Sequence, residues 1–240
     1  FAYRGYRMNY YAVTAMLARV YCWAGEYGNA YKEAKEVVDA TYSTGSTSTA
    51  SCFNFSNSLT TNRKDYNSII MTFFKSTCYE DYLPYMTKGN DVVLVVNTTN
   101  LFGDEAGADD RNLDLFGDWD GGDIKYSFKY DIKEGTSGTD MIPAIRLSEM
   151  YYIMGEYFAY KDEFSKAGEM LDKVRYARGI STTNLASSIG SLEVFHTHLI
   201  KEMRREFVGE GQMFFQYKRL DQKPKDNVVF VFDKPNNEDI

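Results

Sequence analysis

Apolar and small side chains recur along residues 8–40 with a helical spacing rather than a strict alternation. In MNYYAVTAMLARVYCWAGEYGNAYKEAKEVVDA, Ala12, Ala15, Met16 and Tyr21 form one stripe and Ala30, Ala34, Val37 and Val38 a second, with Gly25 as a break between them. The pattern predicts two helices joined by a tight turn. Small Ala18 and Ala30 would let the helices approach closely, which is the character of a tetratricopeptide helix pair.

The same pattern returns further along the chain. Leu17, Ala18, Tyr21, Tyr27, Ala30, Ala34 and Val37 match Met154, Gly155, Phe158, Phe164, Ala167, Leu171 and Val174 at a constant offset of 137 (155 − 18). A second pair is therefore expected, with helices near 144–160 and 163–178. A further helix is expected to start after Ser191, a good N-cap residue, and to run through LEVFHTHLIKEMRREFVGE, with Gly211 past its end.

Between the pairs, residues 42–140 are rich in Ser, Thr, Asn, Gly and Asp, with one short apolar run, DVVLVV, and scattered aromatics. This stretch should be mostly loop with a few short strands or helices, and long irregular segments of this kind more often carry function than connect elements. The expected organisation is one mainly α domain over 1–240: helix pair 6–41, insert 42–140, helix pair 143–179, then a C-terminal helix and tail over 190–240.

Composition narrows the function. With 27 basic and 34 acidic residues the net charge is −7, which disfavours a phosphate-neutralising surface, so nucleic acid is not an expected partner. Aromatic residues make up 16% of the chain, including 20 Tyr, and a tyrosine offers both an apolar face and a polar tip. Cys22, Cys52 and Cys78 are odd in number and form no CxxC pair, so neither a disulfide framework nor a zinc site is indicated. No apolar run reaches the roughly 18 residues needed to cross a bilayer. The opening FAYRGYRMNYY lacks the blocks of a signal peptide and reads as the start of a helix, as if an N-terminal portion had been removed.

Charged clusters are the first candidates for chemistry. Glu202, Glu206 and Glu210 recur every four residues, and Arg146, Glu149 and Glu156 also share a helix face. A carboxylate pair could serve acid and base catalysis, but no neighbouring nucleophile or cleft is evident. The expectation is instead an ion network between helices, in which Arg146, Glu149 and Glu156 join Arg175 or Arg205. His196 and His198, at i and i+2, diverge too far around a helix to share a metal. Asp118 and Asp120 begin like an EF-hand, but Gly122 stands where a ligand belongs and Asp123 where the turn glycine belongs. GxSxG, Walker, Rossmann and HExxH patterns do not occur.

The insert offers different chemistry. Phe102, Phe116, Trp119 and Tyr126 stand among Asp, Asn and Arg side chains, and a sugar stacks its C–H face on a ring while its hydroxyls bond a polar rim. Trp119, with Tyr126 and Phe116 as weaker candidates, is expected to form an exposed platform flanked by Arg111, Asn112 and Asp118. The contrasting reading is that the rings only anchor the loop. Trp23, at the end of a repeat helix, is expected to be packed.

Several segments together resemble the SusD/RagB family: RMNYYAVTAMLARVY, DDR at 109–111, KY at 129–130, IPAIRLSEMYYIMGE, LDKVRYARG, KEMRREFVGEGQMFFQYKRL and VFVFDKPNNEDI. Each is weak alone, but their order and spacing are specific across essentially the whole chain. The resemblance implies a helical fold built on tetratricopeptide-like pairs, with irregular loops carrying the ligand site. It also implies a surface lipoprotein of the outer membrane that captures a glycan or other nutrient and passes it to a SusC-type TonB-dependent transporter. No cofactor or metal is implied, and membrane contact would be only through a lipid anchor. Related sequences are about twice this long, and the remainder, with the lipidated cysteine and further helices, would precede Phe1. The family's ligand residues follow no motif, so none transfers by position, and Met213 and Gln216 stand where many members carry Arg and Asp. Two other readings stay open: a protein-binding scaffold and, with insert carboxylates as catalysts, a glycoside hydrolase.

Overall fold

The computed structural model describes residues 7–46, 48–86, 95–118, 121–127, 129–130 and 141–221. Helix α1 (Tyr10–Ala24) begins where the side chain of Asn9 accepts a hydrogen bond from the Ala12 amide, and it ends at Gly25 with φ 78°. Helix α2 (Tyr27–Val38) follows at once. The small residues Ala12, Ala15 and Ala18 of α1 and Ala30 and Ala34 of α2 are fully buried, so the close approach predicted from their size is realised.

The insert holds more regular structure than its composition suggests. A hairpin of β1 (Thr41–Ser43) and β2 (Thr49–Ser51) is followed by β3 (Ile69–Phe74) and α3 (Cys78–Met86). Next come β4 (Val95–Asn97), α4 (Thr98–Phe102), α5 (Asp110–Leu115), β5 (Phe116–Asp118) and β6 (Ile124–Ser127). Strands β4, β6 and β5 form an antiparallel sheet in that spatial order. Leu59, Leu101, Phe102, Leu115 and Phe116 form its own small core.

The second helix pair starts later than expected. Residues 141–146, partly assigned to a helix from the sequence, form β7 (Met141–Arg146), which pairs antiparallel with β3 through a bulged register. A short apolar run is ambiguous between helix and strand, and Pro143 is tolerated here because β3 and β7 form a two-stranded ribbon. Helices α6 (Leu147–Ala159) and α7 (Phe164–Ala177) follow. Their first residues lie 137 positions after those of α1 and α2, as the sequence offset requires (147 − 10 and 164 − 27). The repeat extends to the turns, where Glu26 N–H bonds Tyr21 C=O in one pair and Glu163 N–H bonds Phe158 C=O in the other, each at 2.9 Å.

Helix α8 (Leu192–Glu206) opens at Ser191, whose hydroxyl accepts from the Val194 amide at 3.2 Å. It stops earlier than expected, because the chain bends through Gly209 and Gly211, both with positive φ, before α9 (Met213–Asp221). Glu210 is therefore not on a helix face with Glu202 and Glu206.

Two larger cores hold these elements together. One joins the alanine faces of α1 and α2 to Ile70, Met71, Ile145, Met150 and Ile153. The other packs Tyr152, Leu171 and Val174 against Phe195, Leu199, Met203 and Phe207. Full burial of a side chain of this size contributes about 1.5–3 kcal/mol, so the apolar face of α8 fixes that helix against α6 and α7. Trp23, expected to be packed, is instead 40% exposed, at 6.5 Å from the Phe215 ring. The buried stripe of α1 runs through Ala12, Ala15, Ala18 and Cys22, which leaves residue 23 at its edge.

Candidate functional site

The surface formed by β5, β6 and the turn between them is where the sequence placed a ligand platform. Trp119 itself lies outside the described residues. Tyr126 sits on the middle strand opposite Gly117, half-buried, with its ring across the backbone of β5. A Cβ on Gly117 would lie 2.6 Å from the Tyr126 Cζ, so this glycine is required for the close approach. Asp118 is exposed, and its Oδ1 accepts from the Gly121 amide at 2.9 Å. Asp123, from the calcium-like stretch, accepts the Thr99 hydroxyl at 2.6 Å and thereby ties the turn to α4.

The other three candidates of this platform face inward. Phe116 packs edge-on against Phe102 with ring centroids 5.7 Å apart. Asn112 is buried and donates to the Ala106 carbonyl at 2.9 Å. Arg111 is 1% exposed and binds Asp109 in a fork, with Nε to Oδ1 at 2.9 Å and Nη2 to Oδ2 at 2.8 Å. It also reaches Glu202 at 2.9 Å and Glu206 at 3.2 Å. A guanidinium committed to three buried carboxylates has little capacity left for a hydroxyl. Arg111, Asn112 and Phe116 are thus corrected from ligand-facing residues to buried structural ones.

The expected ion network is real in kind and different in wiring. Glu149 is held by Arg19 of α1, whose Nε and Nη2 reach its two oxygens at 2.6 and 2.5 Å. Glu156 is held by a fork from Arg219 of α9, with both contacts at 2.7 Å. Arg146 binds Glu210 and also donates to the Lys64 carbonyl at 2.5 Å. None of the three pairs with Arg175 or Arg205. Those arginines converge on Glu105, each at 2.7 Å, and Arg205 also binds Glu202 at 2.9 Å. Helical periodicity shows which residues share a face, whereas the opposing partner depends on which element packs there.

Two acidic residues organise the buried cluster. Glu206 receives Arg178 Nη2 at 2.5 Å and Arg111, and Arg178 continues to Asp65 at 2.6 Å. Glu210 receives Arg146 and Lys129, the latter at 2.5 Å. Burial opposes ionisation of Glu206, but the Arg178 charge and hydrogen bonds, with Arg111 and Arg146, hold its carboxyl well below the usual range. Burial, helped by the nearby Arg146 charge, lowers the Lys129 pKa to about 8 against the pull of Glu210.

Sequence reasoning placed Glu206 in a charged row but missed Arg178, Asp65 and Lys129 as partners, although the signal was present. DDR, KY, IPAIR, VRYARG and REFVGEG are separate in sequence, and the structure brings all five to this one cluster. Its central cavity is about 10 Å³, lined by Arg111, Lys129, Arg146, Arg178 and Glu206 among others. That is space for about one water. The cluster joins the insert to α7 and α8 and offers no room for an organic substrate.

No curated protein matches the chain. Solved structures do. A SusD superfamily protein from Bacteroides thetaiotaomicron aligns with a TM-score of 0.64 at 26% identity, covering 88% of this chain and 50% of its own. A SusD-like carbohydrate binding protein from Bacteroides vulgatus aligns at 0.63 with 20% identity, covering 91% and 46%. Surface glycan-binding protein A from Bacteroides uniformis gives 0.63 at 17% identity, covering 91% and 51%. The chain thus spans about half the length of these structures. The SusD family profile matches residues 18–231, and together with the mainly α fold it establishes that the chain belongs to the SusD/RagB family.

Proposed function

We propose that this chain is part of a non-catalytic glycan-binding component of a TonB-dependent uptake system at the outer-membrane surface, with a SusC-type transporter as partner. The observation that carries this reading is the fixed seat of the insert. Asp65, Glu105, Asp109, Arg111 and Lys129, all from the insert, are tied by ion pairs and hydrogen bonds to Arg175 and Arg178 from the region of α7 and to α8. A loop-rich surface held this rigidly can present Tyr126 and Asp118 without a large ordering cost on binding. Two of the solved neighbours are described as carbohydrate- or glycan-binding proteins, which favours a saccharide as the ligand class.

The direct test is calorimetric titration of the chain with the polysaccharides and oligosaccharides of a defined panel, alongside Trp119→Ala and Tyr126→Ala. Weakened binding with an intact fold supports the platform, and unchanged affinity in both variants removes it. Sustained release of reducing ends by the purified chain would favour the glycoside hydrolase reading instead.

A scaffold role towards a protein partner is favoured by one specific feature. Tyr10, Val13, Leu17, Val20 and Trp23 form an exposed apolar face along α1. This reading is compatible with glycan binding if the partner is the transporter, and co-purification with it tests the point. Among the described residues no helix is long and apolar enough to cross a membrane.

A further inference from the structure

We infer that a second carbohydrate-contact site lies between the turn of the first helix pair and the C-terminal end of α6, remote in sequence from the insert. The inference rests on the glycan-binding reading above. A cleft of about 480 Å³ opens there, within the range of roughly 300–1,000 Å³ usual for small-molecule sites. One wall is the segment from Gly25 to Asn29, and the other is Tyr157, Tyr160 and Lys161.

The rings in this cleft are held in place by one another. Tyr27 stacks on Tyr160 with centroids 4.0 Å apart and planes 16° from parallel. Tyr31 stacks on Tyr157 at 4.3 Å, and the Lys161 ammonium stands 4.8 Å from the Tyr157 centroid. Rings fixed in this way turn their edges, rather than their mutually covered faces, to a ligand with little loss of rotamer freedom. The rim supplies polar groups of both kinds. Asn29 donates to Glu26 at 2.7 Å, and each keeps further hydrogen-bonding capacity, since a carboxylate has several acceptor sites and an amide has a second N–H and a carbonyl. Glu26 and Lys161 balance in charge, which suits a neutral saccharide better than a sulfated or uronic one.

Gly28 provides an independent sign. It is the second residue of α2 and has no positive φ, and an added Cβ would meet nothing within 4 Å. Neither backbone conformation nor packing asks for glycine, which is a poor helix former. Its lack of a side chain leaves that wall of the cleft open. At the equivalent turn of the second pair, Phe164, Ser165 and Lys166 stand where Tyr27, Gly28 and Asn29 stand in the first, so the fold itself does not dictate the cleft residues.

Affinity electrophoresis in native gels cast with soluble starch, xylan, glucomannan or pectin tests the inference, with wild type, Gly28→Leu, Asn29→Ala and Tyr126→Ala run side by side. Gly28→Leu fills open space with a better helix former, so its melting temperature should be equal or higher. Its retardation by a neutral polysaccharide should weaken by roughly three- to tenfold in apparent Kd, and Asn29→Ala, at the exposed rim, should weaken it in the same direction. If the wild type is retarded and both cleft variants match it, the second site is overturned while the glycan reading stands. If the wild type is retarded by none of the four polysaccharides, both are overturned.

Discussion

Gly25 and Asp162, 137 positions apart (162 − 25), occupy the same left-handed turn in the two helix pairs, with φ of 78° and 59°. Each stands immediately before the N-cap of the second helix of its pair, Glu26 or Glu163, although Gly25 caps α1 directly while α6 is capped by Tyr160, two residues before Asp162. Glycine takes this conformation without penalty, and aspartate does so better than most other residues but still at some cost. Gly25→Ala should therefore destabilise the chain by about 1–2 kcal/mol, and Asp162→Gly should be neutral or slightly stabilising. Thermal unfolding of both variants checks the pair, and equal, opposite-to-expected shifts would show that the turns are not equivalent.

Glu206 is the carboxylate on which the insert and the helices depend together. Its removal in Glu206→Ala leaves Arg111 and Arg178 buried with fewer counter-charges, and breaking a buried pair of this kind costs about 3–5 kcal/mol. Asp39, which pairs with exposed Lys35 on α2, is the control, and Asp39→Ala should leave the denaturation midpoint essentially unchanged. Urea denaturation of the two variants gives the comparison, and similar midpoints for both would show that the cluster is not structurally important.

The pH profile of stability should follow the buried groups. For Lys129 the folded pKa, about 8, lies below the ordinary value of 10.5. Between these values the unfolded chain binds more protons, so this lysine makes stability rise with pH over that window. The rise should be clearest from pH 8 to about 10, because buried Tyr130 and Tyr152, whose pKa values burial raises, work in the opposite direction above that. Lys129→Met should flatten the rise.

At the acid end, Glu105 behaves in the reverse sense. Burial works against its ionisation, but hydrogen bonds from Arg205 and Thr183 and the charge of Arg175 outweigh it and hold the pKa at about 2, below the ordinary 4.5. Its contribution is present above pH 4.5 and is lost as pH falls towards 2. Glu105→Gln should lessen the acid loss of stability, measured by denaturant titration at a series of pH values.

Gly168 lies where α7 meets the segment after it. A Cβ there would come 2.6 Å from the backbone of Ala186 and Leu185, and Asp172 fixes that segment by accepting the Leu185 amide at 2.8 Å. Since the contact is to backbone, it cannot be relieved by a rotamer change. Gly168→Ala should cost roughly 1–3 kcal/mol or more, seen as a lower melting temperature, although helix propensity alone would predict a gain.

The sequence by itself determined the features that depend on near neighbours. The alternation of small and apolar residues in α1, α2, α6 and α7, the offset of 137, the break at Gly25 and the cap at Ser191 all follow from a helical repeat of 3.6 residues and from local hydrogen bonding. The order of short segments was also enough to point to the family. Tertiary structure alone decided which charges meet. Arg19 and Glu149 are 130 residues apart, and Arg219 and Glu156 are 63 apart; no local periodicity carries that information. Nor does composition separate a solvated charge from a buried one. Arg111 stands in a polar, acidic stretch that reads as a binding rim, yet the packing of α5 against α8 removes it from water and gives it three carboxylates. Glu210, aligned with Glu202 and Glu206 by its spacing, reaches Arg146 and Lys129 only because the chain leaves the helix after Glu206 and turns back through two glycines.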